Sequence, residues 1–409
     1  MISKSRVIGG IEIGTAKVSV LIGETTNGRE LNLIGFGKVA SRGVLKGTVY
    51  EYRLANDALQ EAVRAAEKMA KATIEGVYLA YTGDHLDGSY NEAKISVSSP
   101  DGVVSEKDLE RVEANAKAKE VGENRMVVQA LRGPYHLDGR QVTQPVDMTG
   151  NELAVGVWKV HGDINRISDS IRLLNGINLT VEELILSSIA SGQMVTQDEE
   201  RRSGVLVLDI GSGTTDYALY KDNFVVRAGA IPVGGDHLTN DLSLGLGLSR
   251  REAEYVKIEH GKALPTAEDG QRAVVMEGGE GAIGERSLSQ LAISQILEAR
   301  VREIFEILQT TITSELLNKA YIPGGVIITG GTSQLPGVTE VGSQALGLPV
   351  RCGQNPKWVV DQLSGPECST MLGLLYRGFS REKKSGGSEA RRAGGLFHKI
   401  GDLFGWRNM

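Results

Sequence analysis

Two stretches of the chain share one pattern of apolar and polar positions. The first runs from Val7 to Ile22 and the second from Val205 to Tyr217. Each passes from an apolar run through a single acid into a turn rich in glycine and threonine, and then into a second apolar run. This pattern predicts a β-hairpin in each stretch. The two acids, Glu12 and Asp209, lie nearly half the chain apart, so the sequence predicts like hairpins in two separate lobes.

The turns of these hairpins carry residue types that bind phosphate. Glycines let the backbone approach an anion, successive N–H groups form an anion-binding concavity, and threonine hydroxyls add donors. The candidate phosphate-binding residues are Gly14, Thr15, Ala16 and Lys17 in the first turn and Gly211, Ser212, Gly213, Thr214 and Thr215 in the second. Glu12 and Asp209 can hold a hydrated Mg²⁺ ion. One such hairpin is ordinary turn chemistry, whereas two facing each other across a cleft would hold one polyphosphate from both sides.

A third stretch, from Gly325 to Val338, is an apolar strand that ends in the turn Gly330, Gly331 and Thr332. Glycine in such a place leaves bare backbone that a flat ring can approach. The three stretches together resemble the phosphate-1, phosphate-2 and adenosine motifs of the actin, Hsp70 and hexokinase superfamily. This resemblance implies an α/β fold: an actin-like two-lobed ATPase made of duplicated RNase H-like domains, with ATP and Mg²⁺ between the lobes.

The resemblance also implies roles for residues outside the hairpins. It places Gly234 and Gly235 at the nucleotide, Lys257 at the ribose, and Glu183 where the superfamily positions the attacking water, on a helix from Val181 to about Gln193. Each of these residues has a plainer interpretation. Lys17 would only flank its hairpin, Lys257 would be a solvated helix charge, and Glu183 or Glu182 would cap a helix.

Composition agrees with a soluble chain of several domains. The chain has 409 residues, and this length exceeds what one hydrophobic core usually serves. Of its residues 41% are hydrophobic and 23% are charged, as is usual for globular proteins. Cys352 and Cys368 are too few for a disulfide framework or a zinc site and are expected in a reducing compartment. Glu12 interrupts the first apolar stretch before it could form a signal peptide or a membrane span.

Charge is concentrated at the C-terminal end. Residues 381–409 contain seven Lys and Arg against three Asp and Glu, a net +4, which leaves −10 for the remainder of a chain whose total is −6. An acidic body excludes a nucleic-acid-binding role and indicates a specialised basic tail. Residues 381–394 lack large apolar side chains and are predicted to be a flexible linker with a reach of about 20 Å.

Beyond the linker, residues 395–409 predict an amphipathic helix. Its apolar arc consists of Leu396, Phe397, Ile400, Leu403 and Phe404, with Trp406 beside it. Burial of such groups, together with the attraction of basic residues to anionic lipid, suffices for reversible binding to an anionic membrane surface. A helix docked on the protein's own body, or on a partner, would show the same pattern.

The order of the motifs predicts the domain organisation. Lobe one comprises 1–86 and 162–202 with a closing helix at 368–380, and an α/β subdomain is inserted in it at 87–161. Lobe two comprises 203–235 and 305–367, with an insertion at 236–304. The linker and the amphipathic helix follow.

Within the superfamily the chain resembles the FtsA family of bacterial cell-division proteins over nearly its whole length. The segments Gly9–Lys17, Ser41–Gly43 and Gln144–Gly150 and the detached amphipathic end carry this likeness. The resemblance implies an ATP-binding protein that polymerises on the cytoplasmic face of the cell membrane at the division septum and anchors filaments of the tubulin homologue FtsZ there. It also implies that residues 87–161 mediate contacts with copies of the chain and with later division proteins, and that hydrolysis is at most a weak Mg²⁺-dependent ATPase activity.

In that family the C-terminal peptide of FtsZ docks on the lobe-two insertion. Here that surface would include a helix from Leu288 to about Gln309, with Arg286, Arg300 and Arg302 off or beside its apolar stripe. These arginines could meet an acidic peptide, or could pair with Glu298 and Glu303 on the surface. The rival functions are an actin-fold ATPase or phosphotransferase and a pilus-assembly ATP-binding adaptor.

Overall fold

The computed structural model describes residues 5–26, 30–276 and 286–385. The strands are β1 (Ser5–Ile13), β2 (Lys17–Thr26), β3 (Glu30–Ala40), β4 (Val44–Leu45), β5 (Thr48–Val49), β6 (Gly76–Tyr81), β7 (Asp87–Ser96), β8 (Arg125–Leu137), β9 (Arg140–Val142), β10 (Glu152–Asp163), β11 (Thr180–Leu186), β12 (Val205–Ile210), β13 (Thr215–Lys221), β14 (Phe224–Ile231), β15 (Ala273–Met276), β16 (Arg286–Ser289), β17 (Val326–Thr329) and β18 (Val350–Cys352). The helices are α1 (Tyr52–Ala70), α2 (Glu106–Ala118), α3 (Ile164–Asn175), α4 (Ser187–Val195), α5 (Asp198–Ser203), α6 (Gly235–Leu246), α7 (Arg250–His260), α8 (Gln290–Thr311), α9 (Val338–Leu346) and α10 (Ser369–Ser385).

The two main sheets have the same topology. In lobe one the strand order is β11-β6-β1-β2-β3, and in lobe two it is β18-β17-β12-β13-β14. Strand β1 pairs antiparallel with β2 and parallel with β6, and β12 pairs in the same way with β13 and β17. Many buried positions of these strands carry branched apolar side chains, which suits a sheet covered on both faces. The predicted duplicated α/β fold with two hairpins is therefore confirmed.

Helices α4 and α10 cross at the junction of the lobes. Every residue of α4 is buried, and α10 packs on it and on β1, β2 and β6 of lobe one. A Cβ at Gly373 of α10 would lie 1.9 Å from the carbonyl oxygen of Ala190 in α4, so only glycine permits this approach. The predicted closing helix thus returns to lobe one.

The subdomain inserted in lobe one is a four-stranded sheet of order β7-β10-β8-β9 with α2 packed on one face. Helix α2 begins with a capping box, because Ser105 accepts a hydrogen bond from the backbone N–H of Asp108 and the Asp108 carboxylate accepts one from the backbone N–H of Ser105. The core of the insertion is a separate hydrophobic cluster that includes Val112, Leu153 and Val155.

Two sequence-based boundaries need correction. Residues Thr180–Leu186 form strand β11 on the edge of the lobe-one sheet, parallel to β6, so the helix predicted from Val181 begins only at Ser187. Helix α10 continues to Ser385, so the first five residues of the predicted linker are helical. The rest of the linker and the amphipathic segment with Leu396, Phe397, Ile400, Leu403, Phe404 and Trp406 lie outside the described residues. Within the described ranges, no helix combines the length and the apolar content that crossing a membrane requires.

Candidate functional site

The turns of the two hairpins are closed by equivalent hydrogen bonds. In lobe one the backbone N–H of Gly14 donates to the carbonyl oxygen of Lys17 at 2.9 Å, and in lobe two that of Gly211 donates to Thr214 at 2.9 Å. A Cβ at either glycine would lie 3.2 Å from that same carbonyl oxygen. The two turns therefore share the same closing contact at their first glycine.

Both turns open onto one cleft of about 600 Å³ between the lobes. The cleft brings together nearly all the candidate site residues: Glu12, Gly14, Thr15, Ala16, Lys17, Asp209, Gly211, Ser212, Gly213, Thr214, Gly235, Lys257, Gly330, Gly331 and Thr332 line it. Gly234 lies directly beneath the second turn, since a Cβ there would be 2.6 Å from the carbonyl oxygen of Ser212. Thr215 points away from the cleft, and its hydroxyl donates to the carbonyl oxygen of Val233.

The two lobes touch at these turns. The Thr82 hydroxyl of lobe one donates to the Thr214 hydroxyl of lobe two at 3.0 Å. A Cβ at Gly213 would lie 2.3 Å from the Thr15 hydroxyl and 2.9 Å from the Cα atom of Lys46, so glycine is required where the turns meet. The two lobes are therefore in direct contact where the turns meet.

Lys17 is held at the wall of the cleft as a cation. Its ammonium lies 3.3 Å from the Glu12 carboxylate and donates to the carbonyl oxygen of Glu367 at 2.5 Å. Burial by itself lowers the pKa of Lys17, but the charges of Glu12 and Asp209 outweigh it and raise the pKa above its ordinary value. Lys17 therefore stays protonated and can face a phosphate.

Asp209 and Asp216 are a buried pair of carboxylates opposite each other on β12 and β13. Burial raises the pKa of Asp209 to about 6, although the Thr370 hydroxyl donates to its Oδ2 at 2.6 Å. Burial and the neighbouring Asp209 raise the pKa of Asp216 well above its ordinary value. Its Oδ1 atom has no hydrogen-bond partner, while Oδ2 accepts from the Thr214 hydroxyl. The hydroxyl partners of these two acids do not offset the cost of burying their charges.

The donor set fits a hydrated magnesium ion rather than a protein-caged metal. Glu12 and Asp209 contribute one carboxylate from each lobe, and the side chain of Asp216 lies beside them in the lining of the cleft. Among the residues that the structure describes, no group of three or more His, Cys, Asp or Glu is arranged to hold a metal. Mg²⁺ characteristically keeps several waters and takes one or two carboxylates plus substrate phosphates, which matches this arrangement.

The far side of the cleft has the chemistry of a nucleoside pocket. Gly330 has a φ of 84°, which glycine adopts freely, and Gly331 has open space above its backbone. The Lys257 ammonium donates to the carbonyl oxygen of Gly235 and to Glu254, and α7 places both side chains at the rim. Apolar walls come from Leu238, Ile258, Leu335 and Pro336.

The structure does not place Glu183 in this cleft. Glu183 lies on β11 and accepts two hydrogen bonds from the Arg377 guanidinium, at 2.8 and 3.1 Å, at a separate cavity beside the insertion. Asp216, a buried acid whose Oδ2 accepts a hydrogen bond from the Thr214 hydroxyl, lines the cleft instead. The structure therefore does not bring Glu183 to the other predicted site residues, and its water-positioning role stays a prediction.

Sequence reasoning missed Asp216, Thr82 and Thr370. A position-by-position comparison of the repeats could have found Asp216, because Asp209 pairs with it across the second hairpin whereas Glu12 pairs with the uncharged Ser19 across the first. Thr82 and Thr370 follow elements far from the turns in the sequence, and only the fold brings them to the cleft.

The three arginines predicted to bind a peptide all have partners within the chain. Arg286 donates to the carbonyl oxygens of Leu246 and Gly247, at 3.0 Å each. Arg300 pairs with Asp241 through two nitrogens and also with Glu303, and Arg302 pairs with Glu298 at 2.9 Å. The surface ion pairs expected from the plainer interpretation are present.

Family models match the two characteristic parts of the chain. The model described as Cell division protein FtsA matches residues 206–373, and the SHS2 domain inserted in FtsA matches residues 83–161. Solved structures of the same fold include the PilM–PilN type IV pilus biogenesis complex, with a TM-score of 0.60, 18% identity and coverage of 91% of this chain and 98% of that one. MreB5 of Spiroplasma citri bound to ADP has a TM-score of 0.55 and 15% identity, covering 93% and 99% of the two chains. These likenesses show an actin-like ATPase fold.

Curated relatives match over almost the entire length. The cell division protein FtsA of Neisseria meningitidis serogroup B is 30% identical over 403 residues, 97% of each chain. That of Pseudomonas aeruginosa is 31% identical over 388 residues, covering 93% of this chain and 91% of the relative, and that of Escherichia coli K12 is 29% identical over 91% and 90%. With the duplicated hairpins, the lobe-one insertion and these matches together, the chain belongs to the FtsA family of cell-division proteins.

Proposed function

We propose that the cleft binds ATP with Mg²⁺ and that the chain is an actin-like, filament-forming adaptor of cell division. The observation that carries this proposal is the pair of matched hairpin turns that open onto one cleft from opposite lobes. Each turn presents backbone N–H groups and hydroxyls to the same volume, and such concavities bind phosphate. A ligand held by both turns stabilises the closed lobes, because it gains contacts only when they approach.

In this proposal Thr15, Lys17 and the turn from Gly211 to Thr214 bind the phosphates. Glu12 and Asp209 would hold Mg²⁺, mainly through water. Bound metal would neutralise phosphate charge. Gly234, Gly235, Gly330, Gly331 and Thr332 would border the nucleoside, with Lys257 at the ribose. Burial raises the pKa of Asp209 in the empty site. Bound Mg²⁺ and the Lys17 ammonium would favour the ionised form of this carboxylate.

Hydrolysis, if it occurs, would use Asp216. Asp216 lines the cleft next to the second turn, and its carboxyl group would orient the attacking water molecule. We expect a weak Mg²⁺-dependent ATPase whose turnover serves to release the closed state. Multiple turnovers per second with a small acceptor would instead favour the rival phosphotransferase.

The proposed adaptor role joins three further contacts. Residues 395–409 would bind anionic lipid on the cytoplasmic face of the membrane at the septum, the FtsZ C-terminal peptide would dock on the lobe-two insertion, and residues 87–161 would contact other copies and later division proteins. The intramolecular partners of Arg300 and Arg302 imply that an acidic peptide has to compete with Asp241, Glu303 and Glu298. Peptide binding at this surface is therefore expected to be weak and sensitive to salt.

Liposome pelleting tests the adaptor proposal. The full chain with ATP and Mg²⁺ should carry FtsZ into the pellet of anionic vesicles, and removal of 395–409 should leave both proteins in the supernatant. Arg300→Glu should retain pelleting of the chain and lose FtsZ, whereas the exposed Arg251→Glu is the matched control. Unchanged pelleting after removal of the tail would contradict the membrane role, and undiminished FtsZ recruitment by Arg300→Glu would contradict the docking surface.

A further inference from the structure

The insertion of lobe one also packs against lobe two. Strand β14 is the outer strand of the lobe-two sheet, and it contacts β7, β8 and β10 of the insertion. The buried side chains of Leu131 and Val160 in the insertion share a hydrophobic cluster with Val225 and Ala228 of β14. The insertion is connected along the chain to lobe one, yet it covers the outer edge of the lobe-two sheet.

An aromatic clasp forms the centre of this contact. Trp158 on β10 and Tyr90 on β7 are directly paired across the insertion sheet, and Arg227 of β14 lies over both rings. The guanidinium carbon is 4.4 Å from the Trp158 ring centroid and 5.5 Å from that of Tyr90. The Trp158 indole N–H donates to the carbonyl oxygen of Ala228 at 2.9 Å. A partly desolvated cation on two rings is a directional contact that orients as well as binds.

The sequence reserves space for these two rings. A Cβ at Gly88 would lie 2.1 Å from the Trp158 ring, and one at Gly156 would lie 2.0 Å from the Tyr90 hydroxyl. Any other residue at either glycine would displace a ring from its place under Arg227. Both insertion strands therefore have a glycine at the position that leaves room for a ring of the clasp.

Contacts continue along the length of β14. Arg132 of β8 lies 5.4 Å from the ring centroid of Phe224, at the start of the strand. In the turn just before it, Asp222 accepts a hydrogen bond from the Gln141 side chain at 3.3 Å. The interface therefore extends from the turn before β14 to the middle of the strand.

The insertion is also fixed at its base in lobe one. Arg125 donates to the carbonyl oxygens of His85 and His161, at 3.1 Å each, on the two chain segments that enter and leave the insertion. The backbone N–H of Asp163 donates to the His85 ring at 2.9 Å. These bonds limit rotation of the insertion at its base, so movement of β14 is not absorbed by a free hinge.

We propose that the insertion is a bracket between the lobes. Its orientation is coupled to closure of the cleft by the clasp, which consists of Trp158, Tyr90, Arg227 and the Ala228 carbonyl. The lobes join through the α4–α10 crossing, so rotation there displaces β14 relative to the base of the insertion. The insertion is bound to both lobes, so it must shift when they rotate. By linkage, a change in the orientation of the insertion then changes the affinity of the cleft for its ligand. The trigger, ATP with Mg²⁺, rests on the proposed function.

Distances between spin labels test the bracket. In a Cys352→Ser background, Glu110→Cys on α2 and Glu340→Cys on α9 report the position of the insertion relative to lobe two, and Met69→Cys with Glu340→Cys reports the lobes; all three sites are exposed. Pulsed electron–electron distance measurements are made without ligand and with ATP and Mg²⁺, on the wild-type background and on Arg227→Ala. Arg202→Ala, which removes an exposed arginine of α5 that pairs with Asp198 outside the clasp, is the matched control.

We expect a narrow insertion–lobe-two distance without ligand that broadens in Arg227→Ala and not in Arg202→Ala. With ATP, lobe closure should shift the insertion on the unaltered clasp, and Arg227→Ala should lose this shift. Trp158→Phe, which keeps one aromatic ring and removes the pyrrole ring with its N–H, should broaden the distance less. Equal widths in all variants would overturn the clasp, and this comparison needs no nucleotide. Ligand binding by calorimetry without any shift of the insertion would overturn the coupling, whereas absence of binding would contradict only the proposed function.

Discussion

At the scale of single residues, the cleft contains buried carboxylates that the protein itself leaves poorly stabilised. Asp209 and Asp216 face each other across one hairpin, and burial raises the pKa of both. Such an arrangement lowers the stability of the empty protein and favours binding of a cation. The unfavourable burial is therefore consistent with a site whose partner is a metal–phosphate complex.

Asp209→Asn should make the ligand-free protein more stable at neutral pH. The pKa of Asp209 is raised from 3.8 to about 6, so its protonated form is favoured in the folded state and stability is lost as pH rises between these values. We expect the stability gain of Asp209→Asn to increase by about 1 kcal/mol between pH 5 and pH 7.5, out of on the order of 3 kcal/mol in total. Urea unfolding without Mg²⁺ at the two pH values measures it, and a gain that does not change with pH would contradict the assignment.

Gly213→Ala should weaken nucleotide binding without unfolding the protein. Its Cβ would lie 2.3 Å from the Thr15 hydroxyl of the opposite lobe, so the turns would have to separate. We expect a loss of affinity of about tenfold, which corresponds to about 1.4 kcal/mol. Gly270→Ala is the control, since a Cβ there meets nothing within 4 Å. Equal affinity of the two variants in titration calorimetry would rule out contact between the turns as a condition for binding.

Most of the cleft was predictable residue by residue because glycine, threonine and acid positions recur in both hairpins. Asp216 was not found, since it departs from the repeat, and Thr82 and Thr370 reach the cleft only through the packing of distant elements. Local spacing reveals residues that share a turn, whereas it says nothing of a hydroxyl that arrives from another lobe.

At the scale of secondary structure elements, the segment Thr180–Leu186 shows how tertiary pairing overrides a local pattern. Its acids and apolar residues suggested a helix, but the edge of the lobe-one sheet needs a partner for β6, and this segment supplies it. Lobe two has β18 in the same place. The assignment of strand or helix was decided by the duplication of the sheet and not by the periodicity of the segment.

Glu183→Gln should leave the cleft unaffected. Glu183 lies on β11, outside the cleft, and pairs with Arg377 of α10. Because it is distant from the site, we expect nucleotide affinity and any ATP turnover of the variant to stay within about twofold of the wild-type values. Asp216→Asn should abolish turnover while it retains binding. Single-turnover ATP assays on both variants decide between them, and a loss of turnover in Glu183→Gln alone would restore the sequence-based assignment.

Asp108→Asn should destabilise the insertion. This fully buried carboxylate accepts hydrogen bonds from the backbone N–H and hydroxyl groups of Ser98 and Ser105, and these bonds hold its pKa well below the ordinary value. We expect a loss of about 2–3 kcal/mol in unfolding free energy. A carboxyl with a depressed folded-state pKa stabilises above its unfolded value near 4 and loses this effect as pH falls. The exposed Asp101→Asn is the control in thermal unfolding, and an equal response of both variants would contradict the role of Asp108.

At the scale of the whole molecule, the duplication could be predicted and the arrangement of the insertion could not. Two matching hairpins indicated two matching lobes, and the strand orders are the same. The bracket depends on Arg227 meeting Trp158 and Tyr90 from another lobe, which no single segment of the sequence reveals. The fold of each part follows from local patterns, whereas the relation between parts follows from three-dimensional packing.

The central claim is that two lobes bind one nucleotide through like turns. Titration calorimetry of the full chain with ATP and Mg²⁺ tests it most directly, alongside Lys17→Ala in one lobe and Thr214→Val in the other. We predict one saturable site that either variant weakens. No binding heat at any temperature, or an affinity that neither substitution changes, would contradict the claim.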